Sequence, residues 1–263
     1  MINVYLADKQ VLFREGIHFT LSGEEDIEVV GETTDNEEAL NFIETTPPNV
    51  AILNLSYGQP SSVEITRRIK QTLPISVSVI LVADDENEEN LFAAMKCGAS
   101  ACITKDIDPD SLLQTIRDVA KGNRPIMKAV FRPGMASRIM EEFEASSLIG
   151  QQINYTLARL TPREADILRR ISEGNTGEQL ITGLKINEEA LNLHLSVIPS
   201  KLAVNDQSRN LIEAVQRNMP SLAQTKHPAG KQPKKQPEIQ YITRDEFISF
   251  RDSLRERLGS LFS

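Results

Sequence analysis

Three polar side chains end apolar runs in the first half of this 263-residue chain. Asp8 closes Ile2-Asn3-Val4-Tyr5-Leu6-Ala7, Asn54 closes Val50-Ala51-Ile52-Leu53, and Lys105 follows Ala101-Cys102-Ile103-Thr104. A carboxylate can offer hard oxygen to a divalent cation, and a lysine ammonium can neutralise an anion. Asn54 carries an amide, which is not a competent acceptor for an acyl phosphate. Other reactive sets are missing from the sequence. The three histidines are too few and too scattered. There is no Ser/His/Asp or Cys/His set, no metal-ligand spacing and no phosphate loop. Neither an enzyme nor a resident metal or cofactor is expected, and Cys97 and Cys102 read as small buried thiols.

Five apolar segments must position these groups, at residues 3–7, 27–32, 50–54, 77–82 and 101–104. Helical periodicity fills the intervals at 11–21, 37–44, 62–71 and 89–95, and continues at 110–120. Short, nearly continuous apolar strands alternating with helices predict an α/β domain over residues 1–122, a doubly wound five-stranded parallel sheet covered on both faces. Functional groups collect at the carboxyl ends of such strands, where Asp8, Asn54, Ala83 and Lys105 all fall. Residues 123–156 read as a connector holding a helix over 135–145, with Ile139, Met140 and Phe143 as its apolar stripe. Residues 157–218 read as a small all-α domain. Residues 219–240, rich in Pro, Gln and Lys, read as a disordered tether. Residues 241–263 read as a C-terminal amphipathic helix, opened by a Thr243/Glu246 capping box and striped by Phe247, Phe250, Leu254, Leu258 and Leu261. That stripe must pack on its own chain, on a second copy or on a protein partner.

The opening run to Asp8, Phe13-Arg14-Glu15-Gly16, Val29-Val30-Gly31-Glu32, Gly98-Ala99-Ser100 and Lys105-Asp106 together resemble a two-component response regulator of the NarL/FixJ type. The resemblance implies a CheY-like receiver whose pocket holds Mg²⁺, accepts phosphate on an aspartate, senses it with a hydroxyl and neutralises it with a lysine. Each position has a counterpart here. The acidic pair matches Asp8-Lys9, the acceptor matches Asn54, the hydroxyl matches Ala83, the switching aromatic matches Cys102, and the lysine is Lys105. Only Asp8 and Lys105 keep the expected chemistry, and they are expected to pair with each other. The metal site and the phosphoacceptor are both lost on this reading, leaving an aspartate-less pseudo-receiver. Lys9 is the candidate to replace the metal's positive charge. Receivers of this type pair through the region spanning residues 90–119, so a homodimer is expected.

Leu160-Thr161-Pro162-Arg163-Glu164 resembles the opening of a LuxR-type helix-turn-helix domain. Local physics agrees: Thr161 can cap a helix, Pro162 suits its first position, and Glu164 completes a capping box. Leu180, Ile181 and Leu184 mark the next helix, Ile186-Asn187 the turn, and residues 188–202 the recognition helix, interrupted by Pro199. His194 reads as a framework residue. Arg163, Arg169, Arg170, Lys201 and Arg209 are the candidate phosphate contacts, and Asn192 the candidate base reader. The surrounding chemistry opposes DNA binding. Ala190-Leu191-Asn192 stands where the family usually has Thr-Val-Lys, Leu193 and Glu178 replace polar and basic residues, and Glu188 and Glu189 add negative charge. Eight Arg/Lys balance eight Asp/Glu over residues 157–218.

The net charge is −8, with 40% hydrophobic and 25% charged residues. That composition is ordinary for a soluble protein. No apolar run approaches the roughly 20 residues that span a bilayer, and the first residues lack the order of a secretory leader. A cytoplasmic location with no membrane contact is expected. The sequence thus predicts a phosphorylation-independent transcriptional regulator that binds DNA through a divergent helix-turn-helix domain. The alternative is a protein-interaction adaptor that has lost specific DNA binding.

Overall fold

The computed structural model describes residues 1–56, 60–73, 76–152 and 157–218. Met1–Asn218 forms one compact unit. The predicted tether and the stripe Phe247, Phe250, Leu254, Leu258 and Leu261 lie outside the described residues.

Five strands, β1 (Ile2–Ala7), β2 (Ile27–Thr33), β3 (Val50–Asn54), β4 (Ser78–Ala83) and β5 (Ala101–Thr104), alternate with α1 (Val11–Ser22), α2 (Asn36–Thr45), α3 (Ser62–Thr72), α4 (Glu88–Cys97) and α5 (Pro109–Ala120). All pair in parallel in the order β2-β1-β3-β4-β5. This is the doubly wound, CheY-like sheet the sequence predicts. The inner strands β1, β3 and β4 are largely apolar because helices cover both faces, while the edge strand β2 also carries Glu28 and Glu32. Val4, Leu6, Ile52 and Ile80 pack with Ile17, Leu21 and Ile116 of α1 and α5. Tyr5, Ala51, Leu53 and Leu81 face Ile43, Ile65 and Met95 of α2, α3 and α4. Tyr5 stacks on Phe42 with centroids 4.4 Å apart. Gly31 is required beside that stack, since a Cβ there would lie 2.8 Å from the Tyr5 ring.

The interval 123–156 is more than the predicted connector. A 3₁₀ segment (Pro125–Phe131) and α6 (Pro133–Gln152) bury Ile126, Ala129, Val130, Met135, Ala136, Ile139 and Phe143. These residues belong to the same apolar cluster as the α2–α4 face of the sheet. α6 starts beside α4, with Gly134 next to the exposed Glu88 carboxylate. The cluster continues into α7 (Pro162–Ser172), α8 (Gly177–Leu184) and α9 (Glu188–Asn218) through Ile167, Leu180, Leu195 and Ile198.

The predicted recognition helix also needs correction, because α9 runs well past residue 202 and continues through Pro199. An interior proline forfeits one hydrogen bond and crowds the preceding turn. Here Leu195, Ile198 and Leu202, on both sides of it, are at most 2% exposed, so packing holds the helix across the defect. Among the described residues, no helix is long and apolar enough to cross a membrane.

Candidate functional site

The carboxyl edge of the sheet collects the pocket predicted from sequence. Asp8, 6% exposed, follows β1, and Asn54 ends β3 beside it. The Asn54 amide Nδ2 donates to Asp8 Oδ2 at 3.0 Å, while the backbone N–H of Gln10 donates to Oδ1 at 2.7 Å. Both carboxylate oxygens therefore accept a hydrogen bond from a neutral donor. An aspartate in place of Asn54 would bring a second anion to the same place. Arg14 braces the turn, donating to the Asp8 carbonyl at 2.8 Å and pairing with Glu32 at 3.3 Å.

Lys105 does not pair with Asp8. Its ammonium bonds Asp84 and lies 5.7 Å from the Phe13 ring centroid. The register explains the change of partner: Ala83 pairs with Thr104, so the residues that follow β4 and β5 emerge side by side. Lys9 is exposed, and among the described residues it has no ion-pair partner. Its position gives no support to a metal-replacing charge. Ala83 presents a buried methyl group. Cys102 is a half-buried thiol pushed up to about 11 by burial and by the nearby Glu86. Burial pushes the Cys97 thiol up to about 12. Both stay protonated near neutral pH and are poor nucleophiles. Ala83, Asn90, Leu91, Cys102 and Ile107 line a cleft of about 200 Å³ beside this pocket. Among the described residues, no group of three or more His, Cys, Asp or Glu is placed to hold a metal ion.

The second candidate site is the three-helix array. Thr161 and Glu164 form the reciprocal capping box at the start of α7, with Pro162 in the first turn, and Thr176 and Gln179 do the same for α8. Lys185 ends α8 with φ +51°, a left-handed conformation that suits glycine or asparagine better. Asn187 then caps α9, accepting from the Ala190 N–H at 2.8 Å.

Most of the predicted DNA contacts are committed inside the chain. Lys201 directs its donors to Glu164 at 2.6 and 2.9 Å and to the Arg159 carbonyl at 3.0 Å. Arg163 donates to the Leu184 carbonyl at 2.7 Å, and Arg209 to Glu142 at 2.7 Å. Arg170 shares Asp166 with Arg169, and that carboxyl is held below its usual range by the two guanidiniums. Arg169 remains exposed, and an exposed pair of this kind yields readily to a phosphate. Asn192 is exposed on the outer face of α9, together with Glu188, Glu189, Leu193 and Val197. Lys185, exposed at the turn, is a cation that periodicity could not single out. Its signal was its place between the two helix patterns.

The Arg209 contact belongs to a charge network joining three parts of the unit. Arg67 of α3 pairs with Asp206 of α9 at 2.6 Å, and Lys96 of α4 lies 3.8 Å from Asp206 and 2.8 Å from Glu142 of α6. Arg209 closes it on Glu142. The face of α4 expected to pair with a second copy is thus engaged by α6 and α9.

Comparison with known proteins agrees with this architecture. The response regulator receiver domain family matches residues 4–117, and the luxR family of bacterial regulatory proteins matches residues 158–214. The chain thus joins a response regulator receiver domain to a LuxR-type helix-turn-helix domain. Among its relatives are the transcriptional regulatory protein DegU of Brevibacillus brevis, 28% identical and covering 81% of this chain and 93% of its own length. The uncharacterized transcriptional regulatory protein YhcZ of Bacillus subtilis is 28% identical, over 83% of this chain and 97% of the relative. The response regulator protein VraR of Staphylococcus aureus is 26% identical, over 83% and 98%.

Proposed function

We propose that this chain is a cytoplasmic transcriptional regulator that works without aspartyl phosphorylation, binding DNA as a homodimer through its helix-turn-helix domain. The observation that carries the reading is the Asn54–Asp8 hydrogen bond at 3.0 Å, which occupies the pocket with a neutral contact where phosphoryl transfer needs a free carboxylate and a metal. No catalytic step is assigned to the chain. Asn192, Lys185 and Arg169 are the groups that present polar or basic chemistry to a groove, and weak contacts from each copy add through effective concentration. Pairing through α1 is consistent with this reading, because Leu12 and Phe19 stand 89% and 84% exposed two turns apart on one face. Incubation with labelled acetyl phosphate and Mg²⁺ tests the first part: the chain stays unlabelled, whereas acid-labile, hydroxylamine-sensitive label would overturn it.

A second reading has its own support. Leu193 and Val197 are 66% and 37% exposed beside Glu188 and Glu189, an apolar and acidic surface better suited to a protein than to phosphates. On that reading the chain is an adaptor, its C-terminal residues 241–263 providing a further contact. Substituting Leu193→Ser separates the two, since DNA affinity is retained if Asn192 and the cations carry binding, and partner capture is lost if the apolar face does.

A further inference from the structure

At the opposite, amino edge of the sheet, away from the remodelled pocket, the receiver and α9 enclose a cleft of about 410 Å³. One wall holds Lys70 of α3 and Arg124, just after α5; the other is formed by Ser200, Ala203 and Gln207 of α9. Gly98 lies between the walls and caps α4 at φ +90°, a conformation that favours glycine; a Cβ there would be in ordinary contact with Lys70 Cγ at 3.4 Å and Ala203 Cβ at 3.7 Å.

The charge in this cleft is one-sided. Among the described residues no acidic side chain lines it, and neither Lys70 nor Arg124 has a carboxylate within ion-pair distance. Neutral oxygens satisfy only part of their capacity. Lys70 donates to the Val77 carbonyl at 2.6 Å, leaving two of its three N–H groups. Arg124 donates to Ser200 Oγ at 2.9 Å and to the Ala99 carbonyl at 3.4 Å. Because Ser200 accepts from Arg124, its own hydroxyl proton is left to donate elsewhere. Partly buried cations are ordinarily paired, since desolvating an unpaired charge is expensive. Elsewhere at this junction they are: Arg67, Lys96 and Arg209 all meet carboxylates.

We propose that this interdomain cleft binds the phosphoryl group of a small molecule, as free orthophosphate or on a phosphorylated metabolite. A planar guanidinium, a compact ammonium and a hydroxyl donor together suit a tetrahedral dianion better than a single carboxylate. Burial and the neighbouring Arg124 hold Lys70 down at about 8, and burial lowers Arg124 as well; a bound dianion would relieve both. Because one wall belongs to the receiver and the other to α9, occupancy strengthens the junction between the domains. The cleft would thus give a regulator without a phosphoacceptor a chemical input at the other end of its sheet. The site itself stands whether or not the chain binds DNA.

The test is calorimetric titration of the full chain with orthophosphate and, separately, with adenosine monophosphate, at ionic strength held constant with chloride. Saturable binding is expected with Kd of about 1 mM or tighter. Lys70→Met and Arg124→Met should each weaken it about tenfold or more, as loss of a charged hydrogen bond does. Lys121→Met, at an exposed lysine outside the lining, should leave it unchanged. Ser200→Asp, at an exposed position, guards against variants that fail to fold: it places a carboxylate beside Arg124 and should abolish binding while the protein stays folded by circular dichroism. Tighter binding of adenosine monophosphate than of orthophosphate identifies a metabolite ligand; equal binding identifies the free anion. Absence of saturable binding by both probes, or binding that survives Ser200→Asp, overturns the proposal.

Discussion

At the scale of single residues, the Asn54 amide sets the hydrogen bonding of Asp8. Asn54 donates to Asp8, so substituting Asn54→Asp replaces an attraction across 3.0 Å with a repulsion between partly buried like charges. The variant should lose about 1–3 kcal/mol of stability at pH 7, from the lost hydrogen bond and the added repulsion. The sign with pH follows from linkage. Repulsion raises one carboxyl above its unfolded value, so the folded pair holds a proton the unfolded chain releases. The repulsive part of the deficit is therefore complete above the raised folded value, shrinks as pH falls from there toward the ordinary aspartate value of about 4, and is gone below it. Urea midpoints of both proteins at pH 7 and at about pH 4 check this, and equal midpoints at pH 7 would contradict it. Asp8, Asn54 and Lys105 were legible in the sequence because each closes or directly follows an apolar strand. The partner of Lys105 was not, since Asp8 and Asp84 are both near in principle and only the β4–β5 register decides between them. The basic cleft was hidden for the same reason: Lys70, Arg124 and Ser200 are remote in sequence and share no motif.

At the scale of elements, hydrophobic periodicity located the strands and receiver helices to within about two residues, because burial and the helix caps at Asp35, Ser61, Asn87 and Asp108 set the same limits. It failed where tertiary contacts override local chemistry. Pro199 suggested a break in the recognition helix, yet the flanking Leu195, Ile198 and Leu202 pack tightly enough to carry α9 onward. That continuation places Asp206 against Arg67 and Lys96, with its side chain 10% exposed. Removing one partner of a desolvated network leaves the others uncompensated. Asp206→Ala should therefore cost about 2–4 kcal/mol in denaturation of the full chain. A loss near the surface-pair range of under about 1 kcal/mol would show that the network is screened. On the opposite side of the receiver, Leu12→Asp together with Phe19→Asp should convert a dimer to monomer in sedimentation without lowering stability. A dimer that survives both changes would remove α1 as its interface.

At the scale of the whole molecule, receiver, 3₁₀ segment, α6 and helix-turn-helix share one continuous apolar cluster. The sequence divided residues 1–218 at a connector over 123–156, opening at Asn123-Arg124-Pro125 just after Gly122. In three dimensions Ile126, Val130, Met135 and Ile139 weld the two sides together. Units that share a core lose it together. Calorimetry of the full chain should accordingly show receiver and helix-turn-helix melting in a single transition; two separated transitions would contradict a shared core. Such a shared core is compatible with the proposed regulator that acts without phosphorylation. The most direct test is selection of fragmented genomic DNA by the full chain at about 0.15 M salt, where weak phosphate attraction is suppressed, with and without acetyl phosphate and Mg²⁺. The account predicts one reproducible enriched motif, bound equally under both conditions. No enrichment from folded protein, or a motif that is gained or strengthened with acetyl phosphate, would contradict it.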